Sequence, residues 1–206
     1  MSRFQARGVM VCMERNLEAE LVDRLRAGDA TAFDEIYDAF NPRLLSFLFR
    51  MARNHAVAED LLEETWLRLV AAGQDLHADT RLGPWLFTVA RNLFLSYCRS
   101  RAREESYTND LILLWPGGLS PSPFDSASLN EFEQRLEEAL AQLPPLYREA
   151  VLLVGVEGLR PSDAARVCGI SAEAFRQRLS RARRLLSQSL KDKGLSQETV
   201  FEEVSL

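Results

Sequence analysis

Apolar residues recur at helical spacing along two long stretches of this chain, residues 17–103 and 131–190. In the first stretch, Phe33, Ile36 and Phe40 stand at positions i, i+3 and i+7, the stripe of an amphipathic helix. No strand-like alternation of apolar and polar residues is longer than four residues. The pattern therefore predicts an all-α protein.

The first stretch is expected to contain four helices. A leucine repeat between residues 17 and 25 predicts the first, and the stripe that begins at Phe33 predicts the second, which Pro42 is expected to kink or restart. The third helix is predicted over residues 56–71 and the fourth over 84–103. Glycines and aspartates between these two helices predict a loop.

Residues 104–130 differ in composition from both stretches. They contain four acidic residues, no Lys or Arg, and proline and glycine at a density that no continuous helix tolerates. We therefore predict two small helical domains joined by a flexible acidic linker. The predicted segments are an N-terminal tail (1–16), a first domain (17–103), the linker (104–130), a second domain (131–190) and a C-terminal tail (191–206).

Composition limits the kinds of chemistry to expect. Cys12, Cys98 and Cys168 are far apart, and neither His55 nor His77 has a partner at metal-ligand spacing, so neither a metal site nor a cofactor is predicted. No phosphate-binding glycine loop or nucleophile–base motif suggests an enzyme. No apolar segment suits a signal peptide or a membrane span, and we expect a cytoplasmic protein with no membrane insertion.

Residues 161–184 have the features of a helix-turn-helix. Pro161 suits the first turn of a helix, and Gly169 suits the left-handed residue that ends it. Ser171 is a natural N-cap for a second helix, whose Phe175 and Leu179 would pack against the first. This arrangement makes the second helix available for the major groove of DNA.

Charge is concentrated around the same helix. Although the whole chain has a net charge of −5, residues 166–193 contain eight basic and two acidic residues, a local net charge of +6. Such a basic segment can neutralise several phosphates. A solvated basic face on an ordinary helical hairpin is the alternative. The candidate DNA contacts are Ser171, Glu173, Arg176, Gln177, Arg178, Arg181 and Arg183.

Two further clusters lie in the first domain. The third predicted helix combines acidic and apolar residues, namely Glu59, Asp60, Glu63 and Glu64 with Leu61, Leu62 and Trp66. Like charges at i, i+4 disfavour the helix slightly, which suggests a surface kept acidic for a basic partner; a solvated helix start is the alternative. The fourth predicted helix interleaves unopposed arginines with aromatics, a combination suited to single-stranded DNA. We expect Phe87 and Phe94 in the core and leave Trp85 and Tyr97 open.

Three segments together resemble the extracytoplasmic-function (ECF) group of the sigma-70 family. In chain order they are AEDLLEETWLRL, PWLFTVARNLFLSYCRSRAR and LPPLYREAVLLVGVEGLRPSDAARVCGISAEAFRQRLSRARRLL. They are similar to the polymerase-binding helix of sigma region 2, to the part of region 2 that opens the minus-ten element, and to region 4, which recognises the minus-thirty-five element. The sequence departs from the usual pattern at Glu63, Ser96, Arg160-Pro161 and Phe175.

The resemblance implies roles for the matched residues. Clamp helices of the polymerase's largest subunit would contact Asp60, Leu61, Leu62, Glu63 and Trp66. The melted minus-ten strand would contact Trp85, Arg91, Asn92, Arg99 and Arg101. The loop Gln74–Arg81 would capture a flipped base, and the acidic linker would enter the RNA-exit path.

An alternative sigma factor is therefore the expected function. The expected partners are core RNA polymerase, promoter DNA and an anti-sigma factor. One alternative is a sigma mimic that sequesters an anti-sigma factor, which loss of the basic recognition helix would favour. A one-component repressor is a second alternative, but it would need a ligand pocket or a dimer face.

Overall fold

A computed structural model of the chain describes residues 15–104 and 131–192. These two ranges belong to two separate compact units, here called the N-terminal and the C-terminal unit. All regular secondary structure in both ranges is helical, which confirms the predicted all-α class with two helical domains. Apart from residues at their edges, the predicted tails and the linker lie outside the described residues.

The N-terminal unit consists of four helices. They are α1 (Arg15–Arg26), α2 (Ala30–Ala52), α3 (His55–Ala72) and α4 (Leu82–Glu104). Helix α2 packs against each of the other three, and α3 also packs against α4. The short connections between the first three helices make neighbours in sequence neighbours in space.

The core of this unit is aromatic at its centre. Phe47 of α2 and Phe87 of α4 are both fully buried, and their rings meet edge to face with centroids 5.3 Å apart. Phe94 is also fully buried, so the assignment of Phe87 and Phe94 to the core is confirmed. Burying each such ring contributes about 1.5–3 kcal/mol.

Side chains and the core together determine where the helices begin and continue. The Asp29 carboxylate accepts a hydrogen bond from the Thr31 backbone N–H and caps α2, and Asn54 caps α3 by accepting from the Val57 N–H. Helix α2 runs through Pro42 without restarting. Because Phe40 and Leu44 on either side of the proline are both buried, core packing outweighs the one missing backbone hydrogen bond.

The connection between α3 and α4 is shorter than predicted. A 3-10 turn spans Gly73–Asp75, and α4 already begins at Leu82. Leu76 and Leu82 are both buried, which fixes the two ends of the loop against the core. Between them, the Thr80 N–H donates to the His77 carbonyl at 2.9 Å and closes a turn at the exposed tip.

The C-terminal unit is built around its last helix. Its helices are α5 (Glu131–Gln142), α6 (Pro145–Val151), α7 (Pro161–Cys168) and α8 (Ala172–Asp192). Helix α8 packs against the other three. A single π-helical turn, Leu152–Val156, follows α6. The N–H of Glu157, the residue after this turn, donates to the Leu152 carbonyl five residues earlier, at 2.9 Å.

A buried arginine holds the end of α5. The Arg148 guanidinium donates to the carbonyl oxygens of Leu140 (3.0 Å), Ala141 (2.6 Å) and Leu143 (3.1 Å). Carbonyls at the C-terminal end of a helix have no partner within the helix, and a cation there also interacts favourably with the helix dipole. Arg148 therefore joins α6 to the end of α5.

Candidate nucleic-acid interface

The turn between α7 and α8 has the geometry predicted from the sequence. Pro161 is the first residue of α7, and Gly169 ends the helix in the left-handed region with φ 67° and ψ 32°. The Ile170 N–H donates to the Ala165 carbonyl at 3.1 Å across this turn. The Ser171 hydroxyl then accepts from the Ala174 N–H at 3.1 Å and caps α8. The predicted helix-turn-helix is confirmed as a structure.

One face of α8 is exposed and polar. The carboxylate of Glu173 accepts from Arg176 at 2.7 Å and from Gln177 at 3.3 Å, and these hydrogen bonds hold its pKa below the usual range. This intrahelical network orients Arg176 and Gln177 before any ligand arrives. Six predicted contact residues are exposed on or just before α8, namely Ser171, Glu173, Arg176, Gln177, Arg181 and Arg183.

Arg178 differs from the other predicted contacts. Only 19% of its side chain is exposed, against 64% for Arg176, and its Nη1 lies 3.5 Å from Oε2 of the buried Glu149. Its neighbours Phe175 and Leu179 on the same side of α8 are buried. The side chain of Arg178 therefore faces the interior of the unit, whereas Arg184, which the prediction omitted, is exposed on the outer face.

Two further arginines are held beside the turn. The carboxylate of Asp163 in α7, whose side chain is 1% exposed, accepts from Arg160 at 3.1 Å and from Arg166 at 2.6 Å. Both guanidinium groups remain largely exposed. Arg160 and Arg166 were not among the predicted contacts, although each stands three residues from Asp163, and only the burial of Asp163 depends on tertiary packing.

The exposed polar residues of α4 do not all lie on one side. Trp85 and Asn92 are seven residues apart, as are Asn92 and Arg99, so these three lie along one face, since seven residues make about two helical turns. Arg99 and Asn92 are exposed and Trp85 is half-buried. Arg101 is exposed on a different side of the helix, and Arg91 is half-buried on another. Tyr97 is half-buried, which is compatible both with packing in the core and with contact to single-stranded DNA.

On α3 the predicted acidic and apolar residues separate into two layers. Asp60 and Glu63 are exposed, whereas Leu61, Leu62 and Trp66 are buried in the N-terminal unit. Part of the predicted acidic repulsion is relieved within the helix, because Glu64 forms an ion pair with Arg68 at 2.7 Å. Glu59 also has a helix neighbour close by, since its Oε2 lies 2.9 Å from Nδ1 of His55.

Trp66 is held from below by α2. Its indole Nε1–H donates to Oδ1 of Asn41 at 3.0 Å, and its ring lies 5.9 Å from Phe33 and 4.9 Å from Tyr37 between centroids. The large apolar residues that α3 does expose are Leu67 and Val70, at 56% and 62%. They continue the helical spacing of Asp60 and Glu63, a signal that the sequence contained and that our prediction missed.

Two family profiles match the chain, in the order of its two units. Sigma-70 region 2 matches residues 36–104 and Sigma-70 region 4 matches residues 133–186. Together they cover more than half of the sequence.

The chain belongs to the sigma-70 family.

This chain matches two relatives and one solved structure over nearly their whole lengths. RNA polymerase sigma factor CarQ of Myxococcus xanthus is 34% identical over 82% of this chain and 95% of CarQ. The ECF sigma factor SigM of Bacillus subtilis is 34% identical over 80% of this chain and 98% of SigM. The sigma factor RpoE of Bartonella quintana, solved with the anti-sigma factor NepR, superposes with a TM-score of 0.62 at 31% identity, over 77% of this chain and 96% of RpoE.

These similarities confirm the resemblance to the ECF group, and the protein is an alternative sigma factor. Sigma factors act as transcription initiation factors. Among residues 15–104 and 131–192 of this sigma factor, no group of His, Cys, Asp and Glu could hold a metal ion. Within the same ranges, no helix is both long and apolar enough to cross a membrane. Cys98 and Cys168 are buried, and burial raises the pKa of the Cys98 thiol to about 11.

Proposed function

We propose that the outer face of α8 recognises the minus-thirty-five element from the major groove. The observation that carries this proposal is a preorganised basic face. Ser171 and Gly169 fix the start of the helix, and Glu173 holds Arg176 and Gln177 in place. Arginine pairs best with guanine and glutamine with adenine, so these two residues would determine base preference. The exposed Arg181, Arg183 and Arg184 would bind phosphates.

The same sigma factor handles the melted minus-ten element through α4 and the preceding loop. Trp85, Asn92 and Arg99 share one helix face, which supports a track on which a base stacks while the amide and the guanidinium hold the strand. Arg91 and Arg101 lie on other sides of α4 and would neutralise more distant phosphates. The exposed tip of the loop Gln74–Arg81 would capture a flipped base.

Core RNA polymerase binds the outer layer of α3. Asp60 and Glu63 supply negative charge and the exposed Leu67 and Val70 supply apolar area, the combination that suits a basic and partly apolar helix surface. The buried Leu61, Leu62 and Trp66 support this layer from beneath. In this division of labour, residues 17–103 act as sigma region 2 and residues 131–190 as sigma region 4, joined by the linker 104–130.

An anti-sigma factor is the further partner that we propose. RpoE of Bartonella quintana was solved with an anti-sigma factor. The structural match spans 77% of this chain and 96% of RpoE, which supports an analogous complex. We also propose that the sigma factor acts in the cytoplasm, where the polymerase is, and that all bond-forming chemistry belongs to the polymerase.

Run-off transcription with purified bacterial core polymerase tests the whole proposal. The template is a fragment from upstream of the gene, with and without this protein. We expect a transcript that requires the protein and that weakens strongly with Arg176→Ala, because loss of a bidentate base contact costs about 1–3 kcal/mol. Arg26→Ala is the control, since Arg26 is exposed and pairs only weakly with Asp23, at 3.3 Å.

The outcomes separate the parts of the proposal. A transcript that Arg176→Ala leaves at wild-type strength would contradict the role of α8. Core binding that survives Leu67→Asp and Val70→Asp unchanged would contradict the role of the outer layer of α3. Failure to bind core polymerase at all would favour a mimic that only sequesters an anti-sigma factor.

A further inference from the structure

A single buried carboxylate of α6 contacts both helices of the helix-turn-helix. Glu149 of α6 is fully buried. Its Oε2 lies 3.5 Å from Nη1 of Arg178 on α8, and it accepts a hydrogen bond from the Cys168 thiol of α7 at 3.4 Å. Glu149 therefore connects the two helices of the motif to the helix that precedes them.

Two properties of this pair suggest that it does more than hold the unit together. A buried charge is costly unless a charged partner compensates it, so Arg178 and Glu149 constrain each other's position. The apolar contacts of Phe175 and Leu179 beside them are non-directional and tolerate a small rotation or slide of α8. Moving Arg178 away from Glu149 would separate two charges inside the unit, and buried polar groups are best attested in setting such a register. Nη1 of Arg178 makes no hydrogen bond, so the constraint is the Coulomb attraction between the two charges.

We propose that Arg178 is a positioning residue, which sets the rotation and register of α8 through Glu149 and thereby aims Arg176 and Gln177 at the base edges. Arg178 then determines promoter specificity without contacting DNA, unlike the role predicted for it from the sequence. This inference rests on the proposed role of α8 at the minus-thirty-five element. Base recognition depends on donors placed accurately along the groove, so a small error in the angle of α8 weakens several base contacts at once.

The experiment compares base preference and salt dependence in the same variants. Holoenzyme assembled from core polymerase and the full chain selects from a pool of promoter duplexes, randomised over the minus-thirty-five element of the promoter used in run-off transcription. The variants are Arg178→Met, Arg178→Lys, Glu149→Gln and the double variant Glu149→Gln with Arg178→Met. Arg181→Met is the matched control, because Arg181 is an exposed arginine of the same helix. Each variant is assayed well below its own melting temperature.

For Arg178→Met and for Glu149→Gln we expect preference to weaken at several positions of the element together, by roughly fivefold or more, the value of about one good base contact. The slope of log affinity against log salt should stay at the wild-type value, because no phosphate contact is lost. Arg178→Lys should recover most of the preference, and the double variant should be no worse than Arg178→Met. The control Arg181→Met should instead lower the slope by about 0.9.

Three results would overturn the inference. In the first, Arg178 contacts DNA itself. Arg178→Met would then lower the slope of log affinity against log salt as the control does, or it would lose preference at one base pair while Glu149→Gln behaves as wild type. In the second, the variants melt earlier but keep the wild-type preference, so the pair would only stabilise the fold. If Arg178→Met does not fold, Glu149→Gln decides: several weakened positions support the inference and an unchanged profile overturns it. In the third, wild-type holoenzyme selects no sequence, so the proposed function of α8 is wrong and the inference falls with it.

Discussion

Replacing Arg148 by methionine should destabilise the C-terminal unit strongly, because the side chain is 4% exposed and serves three backbone carbonyls. The Leu140 carbonyl keeps another partner, the Leu143 N–H at 3.2 Å. The loss therefore falls on the carbonyls of Ala141 and Leu143. The hydrogen bond to Leu143 is buried and the one to Ala141 is only part-buried. An unsatisfied buried polar group costs about 1–3 kcal/mol, so we expect a loss of about 1–6 kcal/mol in the free energy of unfolding.

Urea denaturation of the full chain measures this loss. Circular dichroism follows both units, and fluorescence in a Trp115→Phe background follows Trp66 and Trp85 of the N-terminal unit alone. We expect Arg148→Met to shift the dichroism transition of the C-terminal unit and to leave the fluorescence transition in place. The matched control is Arg181→Met, an exposed substitution that should change stability by less than about 0.5 kcal/mol. An Arg148→Met variant as stable as this control would refute the capping role of the guanidinium.

Three other predictions concern single residues. Phe87→Ala should lower the stability of the N-terminal unit by about 3–5 kcal/mol in the same fluorescence assay, because it leaves a cavity beside Phe47; a loss below about 1 kcal/mol would contradict the packing. Hydrogen bonds from Thr31 and Arg24 lower the pKa of Asp29 to about 2, below the ~3.9 of an unfolded chain. The ionised Asp29 carboxylate therefore stabilises the fold fully above about pH 4, and this stabilisation is lost as the pH falls toward about 2. The melting temperatures of wild type and Asp29→Ala should converge over that window, and a constant difference between them would exclude the depressed pKa. Gly169→Ala should cost about 1–2 kcal/mol by thermal denaturation, since a Cβ there meets no atom within 4 Å and only the left-handed backbone is strained.

Features fixed by neighbouring residues were predictable from the sequence. The turn of the helix-turn-helix depends on Pro161, Gly169 and Ser171, whose conformational preferences are local. The third and fourth helices of the N-terminal unit were predicted to within two residues at each end, because their apolar stripes extend over several turns.

Features fixed by distant residues were not predictable in the same way. Periodicity indicates that Leu61, Leu62 and Trp66 lie on an apolar side of α3, but it does not indicate whether α2 or another protein covers them. Likewise, a basic residue type favours exposure for Arg178, and only its contact with Glu149, 29 positions earlier, places it inside. The hydrogen bonds from Arg148 to three backbone carbonyls could not be predicted from any local sequence pattern either.

The π-helical turn after α6 makes the number of residues, as well as their identity, a determinant of the C-terminal fold. Glu157 and Leu159, just beyond the turn, are both buried, although Gly155 within it is exposed. Removing Gly155 would restore the ordinary four-residue hydrogen-bond spacing and turn the following residues by about 100° about the helix axis. A substitution at this exposed glycine should therefore disturb the fold less than the deletion of one residue. In an alignment of related sequences, a one-residue gap in this segment carries structural information that gaps in surface loops lack.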